Sequence, residues 1–198
     1  MNTTAVKLDT RTALLEAGRD IMLEKGYTNT GIQEVLNSVG VPKGSFYHYF
    51  ESKEDFALKI IEYTDQINSA KFLQLLNNSA VSPLNRLKNF CKDKKKMLTE
   101  HGCRKGCLVG NLSQEMADQS ELLRKALDAV MTRWKETFTQ CISEGQKKGE
   151  INDAWPAEKM AELFLSGWEG AIMRTKSLKS IEPINTFVDL MFNHILKS

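Results

Sequence analysis

Residues 31–54 read GIQEVLNSVGVPKGSFYHYFESKE and decide the fold of the N-terminal part of the chain. Apolar residues recur at helical spacing over about 31–38, with Thr30 placed to cap the helix and Gly40 placed to end it. Pro42 supplies the fixed φ angle of a first helical turn, so another helix follows after a turn of about three or four residues. Two short helices joined this tightly have the dimensions of a helix-turn-helix, whose second helix enters the major groove of DNA.

Polar and small residues cluster at the start of that second helix. Lys43, Ser45 and His48 offer hydrogen-bond donors. Gly44 has no side chain to block close approach, and Tyr47 can give its hydroxyl group to a phosphate. Because small and polar side chains at a helix start suit contact with base edges, the segment predicts a DNA-reading helix.

Two residues outside this helix are placed to hold phosphates. The Thr30 hydroxyl lies beside a helix N-terminus, and helix N-termini attract anions. Lys53 lies just inside the following helix, where its ammonium can hold a flanking phosphate. We therefore expect both residues to contact the DNA backbone.

The same spacing also fits a solvated helical hairpin that does not bind DNA. Phe46, Tyr49 and Phe50 are spaced to pack under the first helix, so we expect them in the core under either interpretation. Tyr47 and His48 lie on the other side of the helix turn, where packing explains them less well.

The stretch from Gly31 to Glu54 closely resembles the DNA-binding signature of the TetR family of transcriptional regulators, most specifically from Val41 onward. The resemblance implies a three-helix DNA-binding domain, a C-terminal helical domain that binds a small effector, and a homodimer. It is strong over about residues 10–56, and beyond them it concerns mostly the number of helices. Carried over by motif position, the implied phosphate contacts are Thr30, Lys43, Tyr47, His48 and Lys53, and the implied base contacts are Gly44 and Ser45.

The rest of the chain has a helical period nearly everywhere and no convincing strand alternation. We predict an all-α fold with a DNA-binding domain over residues 1–53 and an effector-binding and dimerisation domain over residues 54–198. Capping signals mark several helix starts, among them Asp9 or Thr10, Ser52 with Asp55, and Pro83. About nine helices are expected, over about 10–25, 31–38, 42–48, 52–77, 83–100, 106–117, 120–147, 156–176 and 182–196.

Composition excludes several classes of protein. With 198 residues, 41% apolar and 26% charged, the chain is neither disordered nor a disulfide-stapled miniprotein. No apolar run approaches the roughly 18 residues that span a bilayer, and Met1–Thr4 lack the start of a signal peptide, so we expect a cytoplasmic protein with free thiols and no membrane contact. The net charge of +2 is too small to argue for nucleic acid by itself, and the charges of residues 1–53 balance.

The two last helices are unusually apolar, which predicts association. We expect a four-helix interface with two helices from each subunit, where Gly167, Gly170 and Ala171 allow close approach. Two reading helices on a twofold axis would then bind a palindromic operator with half-sites about 34–36 Å apart. In the alternative, the apolar stripes only close the core of one chain.

Aromatic and methionine side chains at helical spacing predict a cavity between the fourth helix and the apolar pair. The same residues also fit an ordinary core, which is the alternative. The predicted lining is Phe90, Met97, Cys107, Trp134, Phe138, Trp168 and Met173.

Cys107 follows Arg104 and Lys105 and lies near a helix start, where positive charge stabilises a thiolate. We therefore expect Cys107 to sense an oxidant or electrophile, with Cys103 as a resolving thiol; the alternative is a small buried hydrophobe. A zinc site that adds His101 would lack a fourth ligand. Residues 106–115 resemble a branch of TetR regulators that includes NemR and AcuR, which implies control of aldehyde, quinone or electrophile detoxification.

These observations favour a ligand- or redox-responsive repressor that a small effector or electrophile releases from its operator. An enzyme is not indicated, because the chain has no phosphate-binding loop, nucleophile elbow or HExxH motif, and no cofactor or metal is expected. The alternative is a cytosolic helical interaction protein that does not bind DNA.

Overall fold

The structure is a computed structural model that describes residues 9–197, and Met1–Thr4, on which the signal-peptide prediction rests, lie outside this range. Within the described range the chain forms nine α-helices and one short π-helical turn at Met191–Ile195, which confirms the predicted all-α fold. The helices are α1 (Thr10–Lys25), α2 (Ile32–Val39), α3 (Gly44–Tyr49), α4 (Lys53–Leu76), α5 (Pro83–Glu100), α6 (Leu108–Met116), α7 (Glu121–Lys147), α8 (Ala157–Leu178) and α9 (Glu182–Leu190).

Local capping explains where several helices begin. Asp9 accepts the Thr12 N–H at 2.9 Å to open α1. The Ser52 hydroxyl accepts the Asp55 N–H at 3.0 Å to open α4, while the Asp55 carboxylate accepts the Glu51 N–H at 3.0 Å. These starts were predicted from the capping signals, and the structure confirms them.

The α1–α2 connection differs from the prediction at one residue. Gly31, and not Thr30, occupies the N-cap of α2, so the predicted Thr30 cap is wrong. Thr30 is 2% exposed, and its hydroxyl donates to the Gly26 carbonyl at 2.6 Å. Gly40 ends α2 as predicted, in the left-handed conformation with φ 73°.

One apolar cluster holds the N-terminal helices together and continues beyond them. Phe46 and Phe50 are fully buried in it as predicted, and Tyr49 is partly buried. At Gly18 a Cβ would collide with the Phe56 ring, so glycine is needed where α1 crosses α4. The cluster also contains Leu108, Val109, Leu112 and Met116 of α6 and Leu123, Leu127 and Val130 of α7.

A second cluster fills the space between α4, α5, α7, α8 and α9. Its aromatic rings pack edge to face or tilted: the Phe138 centroid lies 5.2 Å from Phe72, 5.2 Å from Phe90 and 4.8 Å from Phe164. Arg86 and Glu144 tie α5 to α7 through hydrogen bonds of 2.6 and 3.1 Å.

The apolar α8 and α9 serve the core and leave some apolar surface exposed. At Gly167 a Cβ would lie 2.8 Å from the Phe187 ring, so this glycine allows α9 to approach α8 within one chain. Leu163, Leu178 and Leu190 remain about half exposed. Between Asp9 and Lys197, no helix combines the length and the hydrophobicity that crossing a membrane requires.

Candidate DNA-reading surface and effector cavity

The α2–α3 pair forms a reading surface, which we define as the exposed side of α3 with the residue before it. The buried side of α3 is Phe46, and the exposed side carries Lys43, Gly44, Tyr47 and His48. Tyr47 is 58% exposed, and its ring stands edge-on to Phe46 with the centroids 5.3 Å apart. The core therefore orients the Tyr47 ring, while most of its surface faces solvent.

Gly44 and Ser45 lie at the start of α3 beside Lys43. A Cβ added at Gly44 would meet nothing within 4 Å, so the chain's own packing does not require a glycine at this position. Ser45 is half-buried, and its N–H donates to the Pro42 carbonyl at 2.9 Å. The two residues predicted to approach bases thus lie together at the N-terminal end of the reading helix.

Lys53 and Thr30 occupy a different environment from the reading surface. Lys53 Nζ donates to the Thr28 carbonyl at 3.1 Å and lies 4.7 Å from the centroid of the Tyr27 ring. Burial lowers the pKa of the Lys53 ammonium. Both predicted phosphate contacts are held by the segment that joins α1 to α2, with Thr30 buried and Lys53 half-buried.

Glu115, near the end of α6, binds the segment that joins α1 to α2. Its carboxylate accepts the N–H groups of Tyr27 and Thr28, each at 2.8 Å. Burial acts to raise the pKa of Glu115, but hydrogen bonds from Thr28 and Tyr27 outweigh it and hold the pKa below its usual value. At Gly26, which has φ +80°, a Cβ would lie 2.5 Å from Glu115 Oε2. Sequence reasoning missed this contact, since nothing local marks a carboxylate that binds a distant loop.

A second contact joins the same two parts of the molecule. The Ser120 hydroxyl donates to Glu54 Oε1 at 2.5 Å, and Ser120 Oγ accepts the Leu123 N–H at 3.1 Å. The N-terminal end of α7 is thereby linked to the first turn of α4, next to the reading surface.

A cavity of about 320 Å³ opens among α1, α4, α5, α6, α7 and α8. All but one of the predicted lining residues line it: Phe90, Met97, Cys107, Trp134, Phe138 and Trp168.

The prediction that Met173 lines the cavity is wrong. Met173 is 46% exposed, and α8 contributes Leu165, Trp168, Glu169 and Ile172 to the cavity wall. Successive helix residues point about 100° apart, so Met173 faces away although its neighbour Ile172 lines the wall.

Polar groups that sequence reasoning missed also line this aromatic cavity: Thr64, Lys94 and Glu169. Burial lowers the pKa of the Lys94 ammonium and raises the pKa of Glu169 to about 7. Glu169 lies on the same helix face as Leu165, Trp168 and Ile172. A single acidic residue on an otherwise apolar face is the sequence signal that could have identified it.

Cys107 is the N-cap of α6, and its sulfur accepts the Gly110 N–H at 3.5 Å. Burial and the negative charge of Glu169 raise the pKa of the Cys107 thiol, so the predicted stabilisation of its thiolate by Arg104 and Lys105 is wrong. Lys105 instead lies 4.0 Å from Glu24 of α1.

Cys103 is buried, with its backbone in the left-handed region at φ 56°. All four cysteines are free. Among the described residues, no three His, Cys, Asp or Glu side chains are grouped to hold a metal ion, so the zinc alternative gains no support.

The cavity also reaches the N-terminal helix α1. Arg19, Asp20 and Leu23, all of α1, form part of its wall. The helix that packs against α2 and α4 in the first cluster is thus also a cavity wall.

Comparison with known proteins finds two family models that match different parts of the chain. Residues 14–60 match the family model described as bacterial regulatory proteins of the tetR family, and residues 83–191 match the tetracyclin repressor-like C-terminal domain. The transcriptional regulator AcuR of Cereibacter sphaeroides is 38% identical over 93% of this chain and 84% of its own length.

Two further comparisons involve NemR of Escherichia coli, an HTH-type transcriptional repressor that is 31% identical over 89% of this chain and 88% of its own length. The crystal structure of reduced NemR superposes with a TM-score of 0.88 at 29% identity, covering 96% of this chain and 97% of that one. The resemblance found in the sequence is confirmed. The chain belongs to the TetR family of transcriptional regulators.

Proposed function

We propose that the protein is a homodimeric transcriptional repressor that binds a palindromic operator and is released by a small effector or electrophile. In this proposal residues 1–53 read DNA, and residues 54–198 bind the effector and the second subunit. The observation that carries it is α6, which has Cys107 at the cavity and Glu115 on the segment before α2. The relatives are regulators, and we assign the same role to this chain, in the cytoplasm with the chromosome.

The reading surface supports the DNA-binding part of the proposal. We infer that Lys43, Tyr47 and His48 contact phosphates, because all three are exposed beside one another. Gly44 and Ser45 then approach base edges, and the open space at Gly44 leaves room for that approach. The chain's own packing does not require a glycine at position 44. An interaction protein that does not bind DNA therefore leaves this residue unexplained.

Thr30 and Lys53 enter the proposal in a different way. Thr30 belongs to the segment that Glu115 binds, and Lys53 donates a hydrogen bond to the same segment. We infer that Lys53 reaches a phosphate by exchanging its Thr28 carbonyl partner for the stronger acceptor. Thr30 supports DNA binding by fixing the backbone of the segment, because its hydroxyl donates to the Gly26 carbonyl.

The exposed apolar surface of α8 and α9 supports a homodimer. Leu163, Leu178 and Leu190 are about half exposed, and the expected interface takes two helices from each subunit. Such a dimer presents two reading surfaces to half-sites about 34–36 Å apart.

The two ends of α6 supply the coupling between effector and operator. An α-helix rises about 1.5 Å per residue, so Cys107 lies only about 12 Å from Glu115 along α6. A molecule that moves the α6 N-terminus therefore moves the acceptor of the Tyr27 and Thr28 N–H groups. A hundredfold loss of operator affinity needs about 2.7 kcal/mol of such coupling.

The test begins with selection of bound duplexes from a random DNA library by the full-length protein. We expect a palindromic site, binding by the dimer, and affinity that falls steeply with salt. Iodoacetamide or N-ethylmaleimide should release this DNA from the wild type and not from Cys107→Ser, with Cys141→Ser as the matched buried-thiol control. Failure to select a site, or binding indifferent to salt, would favour the interaction-protein alternative.

A further inference from the structure

The aromatic rings of the cavity form one continuous wall. The Phe90 centroid lies 5.5 Å from that of Phe72 and 5.2 Å from that of Phe138. It also lies 5.4 Å from the Trp168 ring, and the Trp134 centroid lies 6.4 Å from that of Phe72. All five rings line the cavity, so they present flat apolar surfaces to an occupant.

The cavity opens to solvent between α4 and α5. Ile67 of α4 and Met97 of α5 line it, and they are 42% and 38% exposed. Its volume of about 320 Å³ is at the lower end of the roughly 300–1,000 Å³ typical of ligand pockets. A small molecule can therefore enter from this side, and one aromatic ring with a short chain suits the space.

A positive charge is held inside this aromatic cavity. Lys94 of α5 lines the wall, and burial lowers the pKa of its ammonium. The neighbouring Asp93 pairs with Lys71 at 2.6 Å, and within residues 9–197 no carboxylate oxygen lies within 4.0 Å of the Lys94 ammonium. Charges shielded from water are normally paired, so an anionic group of an occupant would supply the partner that the chain does not.

A hydroxyl group without a partner lies in the same cavity. Thr64 of α4 lines the wall and is 5% exposed, and its Oγ1 has no hydrogen-bond partner among the described residues. Buried hydroxyls are normally hydrogen-bonded, so this one indicates an occupant with an oxygen or nitrogen atom. The observation is independent of Lys94, because it concerns a neutral group on another helix.

Thr64 and Lys94 lie on the same side of the contact between α4 and α5. The two helices run antiparallel, because the residue before Phe72 pairs with a residue three positions after Phe90. Thr64 lies eight residues before Phe72 and Lys94 lies four residues after Phe90, so their levels along the helices differ by about 6 Å. A lysine side chain spans such a distance, so one ligand group can contact both.

We propose that the cavity binds an aromatic carboxylate without a covalent bond, with the ring against the aromatic wall and the carboxylate held by the Lys94 ammonium and the Thr64 hydroxyl. Charge-assisted hydrogen bonds are roughly twice as strong as neutral ones, which makes an anion the preferred head group. This inference rests on the proposed function, in which the cavity receives the effector, and it assigns the chemical class of that effector.

Glu169 of α8 sets the pH range in which such an anion binds. It lines the same cavity and interacts electrostatically with Lys94. Burial raises the pKa of Glu169 to about 7, so its carboxyl group is mostly protonated below that pH and mostly charged above it. The protonated form leaves the cation to the ligand, whereas the charged form competes with the ligand and repels it. The affinity is therefore expected to fall as the pH rises through this value.

The other charged or titratable groups that line the cavity are paired, exposed or uncharged. Arg19 pairs with Asp20 at 3.0 Å, and Lys105 lies 4.0 Å from a carboxylate oxygen of α1. His101, at the end of α5, is exposed. Burial raises the pKa of the Cys107 thiol, which keeps it uncharged at neutral pH. The Lys94 ammonium is thus the cation best placed to bind an anion.

The experiment is isothermal titration calorimetry of the full-length protein with 3-phenylpropanoate, which has a ring, a carboxylate and no carbon that a thiol attacks. We expect one molecule per subunit and an unchanged protein mass afterwards. The neutral 3-phenylpropanamide has the same shape and should bind more weakly by about tenfold or more. Propanoate, which lacks the ring, should not bind measurably. Equal affinities for the acid and the amide, or no binding of the acid, would overturn the proposal.

Substitutions test each contact separately. Lys94→Met should weaken binding of the acid by about a hundredfold and affect the amide much less, whereas Lys94→Arg should retain most of the affinity. Thr64→Val should weaken the acid by about fivefold, and Thr64→Ser should restore it. Lys92→Met on α5 and Glu158→Gln on α8 change exposed residues and should bind like the wild type. Wild-type affinity in Lys94→Met would overturn the assigned cation.

A pH series tests the part played by Glu169. Wild-type affinity for the acid should fall by about tenfold between about pH 7 and about pH 8.5, as the carboxyl group loses its proton. Glu169→Gln should remove this dependence, because the amide carries no charge at any pH. A dependence that persists in Glu169→Gln would assign it to the His101 side chain and overturn the role of Glu169.

Operator binding is measured separately, by fluorescence anisotropy of labelled DNA. If the acid binds as expected and the DNA stays bound, the present inference holds and the release step of the proposed function fails. If the acid does not bind and an electrophile still releases the DNA, the present inference fails and the proposed function stands.

Discussion

The reading surface and the cavity treat polar side chains in opposite ways. On the reading surface, Lys43, Tyr47 and His48 are exposed to water, which solvates them. In the cavity, Lys94 and Glu169 lie among aromatic rings, and burial disfavours the charged form of each. The reading surface can therefore offer charge to a partner without destabilising the protein. In the cavity, the burial of Lys94 and Glu169 lowers the free energy of unfolding, and an occupant that interacts with these groups can offset part of that loss.

The largest expected effect separates two neighbours on α3, of which one is buried and the other belongs to the reading surface. Phe46→Ala should lower the free energy of unfolding by about 3–5 kcal/mol, because Phe46 is fully buried among Phe50 and Phe56. Tyr47→Ala should change it by less than about 0.5 kcal/mol and still weaken operator binding. Urea unfolding followed by circular dichroism, with DNA binding by fluorescence anisotropy, checks both. Equal destabilisation by the two substitutions would show that α3 does not divide into a buried and a reading side.

A pH series tests the buried charge in the cavity. Burial raises the pKa of Glu169 from its ordinary 4.5 to about 7 in the folded protein, so between these values the folded state binds more protons than the unfolded chain. This group therefore makes the protein less stable as the pH rises through that window, by about 3 kcal/mol in all. Glu169→Gln should be more stable than the wild type above about pH 7 and gain little near pH 4.5. A gain independent of pH in urea unfolding would contradict this assignment.

The link between the two regions predicts a smaller effect. Glu115→Gln should cost about 1–3 kcal/mol, because it replaces a charged acceptor of two N–H groups by a neutral one. Hydrogen exchange at Tyr27 and Thr28 should accelerate, and operator affinity should fall although Glu115 belongs to α6. Asp118→Asn, an exposed neighbour, is the control. Unchanged exchange and affinity would exclude α6 as the connection.

The smallest effect distinguishes two lysines that were both predicted to bind phosphate. Lys43→Ala should reduce the slope of log K against log salt by about 1 and leave stability unchanged, since Lys43 is exposed. Lys53→Ala should reduce the slope and also accelerate exchange in the segment around Thr28, whose carbonyl it binds. Salt titrations of both variants with exchange measurements make the comparison.

Local signals in the sequence predict the reading surface well. Pro42, the Ser52–Asp55 capping box and the glycine at position 40 place α3 and α4 because each acts through bonds within a few residues. The prediction for Thr30 is wrong because a hydroxyl near a helix start can either accept a backbone N–H as a cap or donate to the carbonyl four residues earlier, and here it donates to the Gly26 carbonyl.

The cavity was less predictable because its chemistry depends on residues far apart in the chain. The cations beside Cys107 suggest a stabilised thiolate, but burial and the negative charge of Glu169 of α8 raise the pKa of the thiol instead. Helical spacing predicted most of the aromatic lining correctly. Met173 was predicted wrongly because it follows Ile172 by one residue, and this turns its side chain about 100° away from the cavity wall. The last predicted helix, over about 182–196, instead ends as α9 at Leu190 and continues as the π-helical turn.

Helix α1 supports both regions, since Leu14 and Met22 lie in the apolar cluster that also buries Phe46 of α3, while Arg19, Asp20 and Leu23 form part of the cavity wall. A domain swap that grafts residues 54–198 onto another regulator's N-terminal part would replace that wall and alter which molecules fit. The two parts of the chain are therefore not independently exchangeable. A substitution in α1 that changes effector specificity must also preserve the packing beneath the reading surface.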